Sequence, residues 1–178
     1  MKTISVLVIL IWIVEAANNF FGHAFNIFGI YPRNVDKLPG ILLWPLLHGS
    51  LKHLIMNTTP LLIMGFFVAL RGPWIFTKTT FLILIIGGLA VWVFARPAYH
   101  IGASGLIFGY FGFLIAIGLY ERSISSLAIA SVTLFFYGGL IMGILPTDSF
   151  ISWEGHLFGL CAGILAARLT VFKHKPAD

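Results

Sequence analysis

Long apolar runs, separated by short polar turns, organise this chain from end to end. Six of them are long enough, or nearly so, to cross a bilayer core, which takes about 20 helical residues. They occupy residues 4–17, 51–70, 75–95, 104–120, 125–145 and 153–171. Backbone amides in hydrocarbon must find partners within their own segment, so each run predicts a helix. The expected fold class is therefore an all-α membrane protein with six transmembrane helices. No linker, repeat or low-complexity stretch divides them, and residues 1–178 read as a single six-transmembrane domain. The first run has a second reading, because Lys2, a short apolar segment and Val14-Glu15-Ala16 resemble a secretory signal with its cleavage site. The acid in that box and the aromatic continuation Phe20-Phe21 favour a retained helix, and with it an even number of spans.

The longest interruption, residues 18–49, lies between the first two runs. Pro32, Pro39 and Pro45 break it too often for a span, yet Phe25, Ile27, Phe28, Ile41, Leu42, Leu43 and Trp44 make it too apolar for water. It is expected to lie half-embedded at the membrane interface. Composition agrees with a membrane protein: the chain is 59% hydrophobic and 10% charged, against about 25% charged in soluble domains. Mean hydropathy is +0.99. The formal charge of +5 is scattered over the turns and the C-terminus, which reads as topology and not as a nucleic-acid surface. With the N-terminus inside, Lys2, Arg71, Lys78, Arg122, Arg168, Lys173 and Lys175 face the cytoplasm, and Arg33, Lys37, Lys52 and Arg96 fall on or near the outer side. This bias favours both termini inside. The single cysteine, Cys161, excludes an intrachain disulfide and is expected to be inert packing.

Polar groups inside such spans are costly, so each needs a partner or a task. Ser104 stands between Gly102 and Gly105 where a loop turns into the fourth run, Tyr99-His-Ile-Gly-Ala-Ser-Gly. The first turn of a helix offers unpaired N–H groups and a positive dipole end, which suit a developing oxyanion. The alternative for such a serine is packing. In the second run, His53 and Asn57 are four residues apart and share a helix face, with His48 in the loop before them. His48 is expected to bond a nearby loop carbonyl, whereas His53 and Asn57 aim two donors at one point. The spacing does not suit zinc and the His-Glu-x-x-His metalloprotease pattern is missing, so no metal is expected. His156 opens the sixth run ahead of Gly159 and Gly163, a strip that lets another helix come close. Gly105, Gly109, Gly112 and Ala116 on the fourth run match it, which would bring Ser104 and His156 to similar depth as nucleophile and base. No carboxylate suits a triad: Glu154 points elsewhere on the helix, Asp148 is in the preceding loop, and Glu15 and Glu121 sit near helix ends. A dyad is expected.

Taken together, these residues resemble the rhomboid intramembrane serine proteases in their minimal six-helix bacterial form. The pattern His48-x4-His53-x3-Asn57, the Gly-x-Ser-Gly of 102–105 and the Gly-His-x2-Gly-x3-Gly of 155–163 fall on the second, fourth and sixth runs in the family's order. The resemblance implies Ser104 as nucleophile and His156 as base and then acid. It implies His53, Asn57 and the Ser104 amide as oxyanion donors, and His48 as a brace for a membrane-lying first loop. Phe135, Phe136 and Tyr137 on the fifth run would flank the lateral path of a substrate helix, and residues 148–151 would cap the site. It also implies membrane-protein substrates with single or further transmembrane segments, a bilayer home in the bacterial inner membrane, a site opening outward, and no cofactor. Two departures stand out. The family's usual tyrosine four residues after the serine is Phe108 here, which keeps a ring to stack on His156 but loses the hydroxyl. The first loop also lacks the common Trp-Arg pair, since Trp44 is followed by Pro45.

The rival readings are a weak or inactive rhomboid-like protein that binds transmembrane clients, and a small transporter whose histidines relay protons. The first would be signalled by loss of the dyad, the second by inverted repeats or broken helices. The protease reading predicts that cleavage persists in EDTA; activity that disappears on chelation and returns with added metal would overturn the metal-free expectation.

Overall fold

The computed structural model describes residues 2–147 and 151–171. Asp148, in the expected capping loop, and Lys173 and Lys175, in the expected cytoplasmic tail, lie outside the described residues. Among the described residues, 5 helices are long and apolar enough to cross a membrane: α1 (Lys2–Phe20), α2 (Leu51–Ala69), α3 (Pro73–Phe94), α4 (Ser104–Glu121) and α5 (Ile124–Ile144). A further long helix, α6 (Trp153–Val171), fills the last apolar run but carries Glu154, His156 and Arg168. No strand occurs among the described residues beyond an isolated bridge between Ile30 and His100.

The bundle is built around α4. Within its apolar window 78% of residues are buried, against 6% in α5, so α4 is the axis and α5 a peripheral member. Glycine explains the first figure. A Cβ at Gly159 or Gly163 of α6 would collide with the carbonyl oxygens of Gly105 and Gly109 of α4, and one at Gly112 would lie 2.6 Å from the Leu160 oxygen. The two backbones therefore touch, with side chains excluded from the seam. On the opposite side, α1 lays Ile4, Val8 and Ile11 along α2, where Gly65 makes room for Ile4.

Two runs depart from regular α-helix. In α3, residues Ile83–Gly87 widen into a π-helical stretch. Gly87 there faces α6, 3.5 Å from the Phe158 oxygen for an added Cβ, and Gly88 faces Ile41 of the first loop at 2.8 Å. In α5, α-helix ends at Tyr137 and a 3₁₀ segment, Gly138–Ile144, completes the run. Cys161 is exposed on the outer surface of α6, contrary to the packing role expected of it.

The first loop folds into short turns, Ala24–Phe28, Val35–Lys37, Gly40–Leu43 and Trp44–Leu46, and is pinned to the end of α3. Arg33 donates to the carbonyls of Val93 and Ala95 at 3.1 and 2.8 Å, and Trp92 donates back to the Asn34 carbonyl at 2.9 Å. Ile30, Ile41 and Trp44 form a small core with Val91 and Ala95, while Phe20, Phe21, Phe28 and Leu42 stay exposed.

A leucine at Gly163 must push α6 off the Gly109 carbonyl. Overpacking of this kind costs about 1–3 kcal/mol, so Gly163→Leu should lower Tm in detergent. An unchanged Tm would contradict the backbone contact.

Candidate active site

Three loop-to-helix junctions converge at one end of the bundle, and backbone geometry fixes the serine's. Gly102 has φ +114°, a conformation that side chains rarely adopt, and a Cβ there would sit 2.9 Å from His53 Cε1. Its N–H donates to the Trp44 carbonyl at 2.8 Å, and the next amide, Ala103 N–H, donates to His48 Nε2 at 3.4 Å. Ser104 then opens α4, in the turn whose amides have no intrahelical acceptor.

Across the glycine seam, His156 lies in the first turns of α6 with both ring nitrogens engaged. Nδ1 is 2.8 Å from the Gly143 carbonyl, and Nε2 is 2.9 Å from Ser104 Oγ. A carbonyl only accepts, so a neutral ring carries its proton on Nδ1, and Nε2 accepts from the serine hydroxyl. The Phe108 ring stacks on the imidazole at 4.2 Å between centroids and 5° between planes. The expected ring-on-ring contact survives without the tyrosine hydroxyl.

His53 and Asn57 lie on the facing wall of a cavity of about 700 Å³ that Ser104, His156 and Phe108 also line. The Asn57 Nδ2 is buried with no partner among the described residues. An amide left in that state costs about 1–3 kcal/mol, and it borders a cavity with room for an acceptor. Ser50 caps α2 by accepting the His53 N–H at 3.2 Å, which fixes the start of that wall. Among the described residues no cluster of His, Cys, Asp or Glu gathers as a metal site would require.

His48 is fully buried and its ring sits edge-on to His53 at 5.0 Å. Its Nε2 accepts from the Ala103 amide, and its ring also lies by the Leu46 backbone of the first loop. Burial, reinforced by the positive potential of His53, pushes its pKa down to about 3, so the ring stays the neutral acceptor that this bond needs.

Several contributors were not readable in the sequence. Trp44, set aside as no equivalent of the family's loop motif, is 1% exposed and packs its ring into the space left by the missing side chain of Gly105. Gly143 contributes only a carbonyl, which any residue carries, so its identity gave no signal. Glu154 lies on α6 near His156, but its carboxylate turns to Arg96, accepting the backbone N–H at 3.3 Å with the guanidinium 3.6 Å away. Arg96 also donates to the Ile151 carbonyl at 2.6 Å. His100 donates from Nε2 to the Arg96 carbonyl at 3.1 Å and accepts from the Ser152 hydroxyl at Nδ1, 2.6 Å away. Burial holds the His100 pKa below its ordinary value.

The pH dependence of stability follows from these two loop histidines. Unfolding frees each to bind a proton near its ordinary pKa of 6.5, whereas the folded state resists protonation. The contribution of these two groups to stability is therefore complete above pH 6.5 and declines as pH falls, for His48 down towards pH 3. Tm in detergent should drop across that window, and His48→Gln should flatten the slope while lowering Tm at neutral pH.

Comparison with known proteins gives the site its context. The family model described as the rhomboid domain matches residues 36–173, which include each of the site residues above. An uncharacterized protein of Mycobacterium tuberculosis is 41% identical over 94% of this chain and 73% of its own length. An uncharacterized protein of Mycobacterium leprae is 38% identical over 94% and 70%. YdcA of Bacillus subtilis, provisionally named a rhomboid protease, is 33% identical over 73% of this chain and 66% of itself. With its apolar helices and a domain match over most of its length, this multi-pass membrane protein belongs to the rhomboid family.

Proposed function

We propose that this protein is an intramembrane serine endopeptidase that hydrolyses peptide bonds in or near transmembrane helices of other membrane proteins. The observation that carries the reading is the 2.9 Å contact between Ser104 Oγ and His156 Nε2, with the far imidazole nitrogen on the Gly143 carbonyl. Ser104 gives its proton to Nε2 as Oγ attacks the scissile carbonyl. The oxyanion forms beside the Ser104 amide, His53 and the unpaired Asn57 amide, donors set in advance where charge develops. His156 then passes the proton to the leaving amine, and water, activated by the same imidazole, releases the acyl group. The Gly143 carbonyl orients the ring and keeps the proton on Nδ1, the task a carboxylate performs in a triad.

Peptide hydrolysis needs water, which lipid does not supply, and a cavity at one end of the bundle is where water reaches the dyad. The same reading takes α6 as a sixth span within a single domain, both termini in the cytoplasm and the cavity opening to the outer face of a bacterial inner membrane. The exposed apolar side chains of the first loop, Phe28 and Leu42 among them, suit a segment lying in the interface. Exposed Phe135 and Phe136 on the little-buried α5 suit a flank along which a substrate helix passes.

The test uses purified protein in detergent or liposomes with a single-pass model substrate. Ser104→Ala and His156→Ala should each lower kcat by at least about 10³-fold, and a fluorophosphonate should label Ser104 in wild type. Cleavage that persists in Ser104→Ala would sink the reading. A wild type that binds transmembrane peptides yet neither cleaves nor labels would establish the client-binding alternative. Phe108→Tyr should leave turnover equal or higher, since the stack is already formed; abolished turnover would show that the ring contact is not what supports His156.

A further inference from the structure

Polar side chains on α1 and at the start of the first loop gather where the chemistry above makes no use of them. Glu15 is 1% exposed and Asn18 is 0% exposed, in an otherwise apolar helix. A buried carboxylate is costly unless its partners compensate, so those partners indicate its task. One carboxylate oxygen accepts the His48 backbone N–H at 3.2 Å and an Asn18 amide hydrogen at 3.0 Å. The other lies 3.4 Å from His23 Nδ1. The Asn18 amide also donates to Asn26 Oδ1 at 3.0 Å, and Asn26 in turn donates to the His48 carbonyl at 3.2 Å.

Both polar atoms of His48's main chain are thus held from α1 and the first loop. Its ring is held by nothing else in that cluster; it reaches the other way, to the Ala103 amide beside Ser104 and to the edge of His53. Glu15, Asn18, His23 and Asn26 all precede residue 36, where the match to the rhomboid domain begins.

We propose that Glu15 is a positioning residue for the site: by fixing the His48 backbone it sets the His48 ring, and through it the Ala103–Ser104 backbone and His53. The inference rests on the serine–histidine reading of the cavity. Misplacing a reacting group by about 1 Å costs on the order of 10²-fold in rate, so loosening His48 acts on turnover and leaves substrate docking alone.

The experiment compares Glu15→Leu and Glu15→Gln with wild type, in the full chain in detergent. It measures Tm, kcat and KM on one single-pass substrate, and the rate at which a fluorophosphonate labels Ser104. Glutamine keeps a carbonyl acceptor for the His48 N–H, and leucine does not. Glu15→Leu should lower kcat and labelling by on the order of 10- to 100-fold with KM little changed, and Glu15→Gln should recover most of the loss. A folded Glu15→Leu with wild-type kcat overturns the proposal, as does a change confined to KM. Should Glu15→Leu not fold, the double variant Asn18→Ala/Asn26→Ala removes both amide donors to the His48 carbonyl, at 3.4 and 3.2 Å, with Glu15 in place. A lowered kcat at constant KM then supports the proposal, and an unchanged kcat overturns it. A wild type that neither cleaves nor labels overturns the protease reading itself, and this inference with it, before any variant is made.

Discussion

The contact between the backbones of α4 and α6 is the constraint on which the rest of the molecule depends. Lipid gives helices no hydrophobic reason to associate, so their affinity must come from close packing. Gly159 and Gly163 supply it by resting on the carbonyls of Gly105 and Gly109. The same register sets the geometry of the candidate site. Ser104 and His156 begin their helices at matching height, and a slip of one turn, about 5.4 Å, would part a hydroxyl and an imidazole now 2.9 Å apart. Stability and site geometry are therefore one seam read at two places.

What this seam does not provide is an orientation for the imidazole. That comes from Phe108 on its face and the Gly143 carbonyl on its edge. The carbonyl belongs to the 3₁₀ end of α5, the least buried of the long helices. A 3₁₀ stretch leaves some carbonyls without a helical partner of good geometry, and here one of them serves a side chain. The tautomer of His156 thus depends on the position of a peripheral element, whereas its distance from Ser104 depends on the central one.

Polarity in this protein is gathered at the end of the bundle where the loops dock. Arg96, Glu154, His100 and Ser152 tie the turn after α3 to the start of α6. Glu15, Asn18 and Asn26 tie α1 to the first loop and His48. Far from this end, Arg71 pairs with Glu121 between the α2–α3 turn and the foot of α4. The interior between is mostly apolar, with Phe113, Met64 and Leu61 in it, and its polar groups include buried Thr79 and the paired Thr80 and Tyr110 hydroxyls. Such a division follows from the solvent: unpaired polar groups are costly in hydrocarbon, and water reaches the ends.

Hydrophobic run length was enough to read five membrane-length helices among the described residues, because a membrane span is a property of one segment and its surroundings. Small-residue spacing at Gly105, Gly109, Gly159 and Gly163 likewise announced which helices would touch, and His53, Asn57, Ser104 and His156 were legible because polar residues are rare in such runs. Two run-level expectations could not foresee the π stretch at Ile83–Gly87 or the 3₁₀ end of α5, since both answer to neighbours. Trp44 filling the space above Gly105, the Gly143 carbonyl on His156 and the Glu15 network on His48 lay beyond the sequence for one shared reason. Each is a match between two surfaces distant in the chain, and a partner's shape or a backbone carbonyl's direction exists only once the tertiary fold has formed.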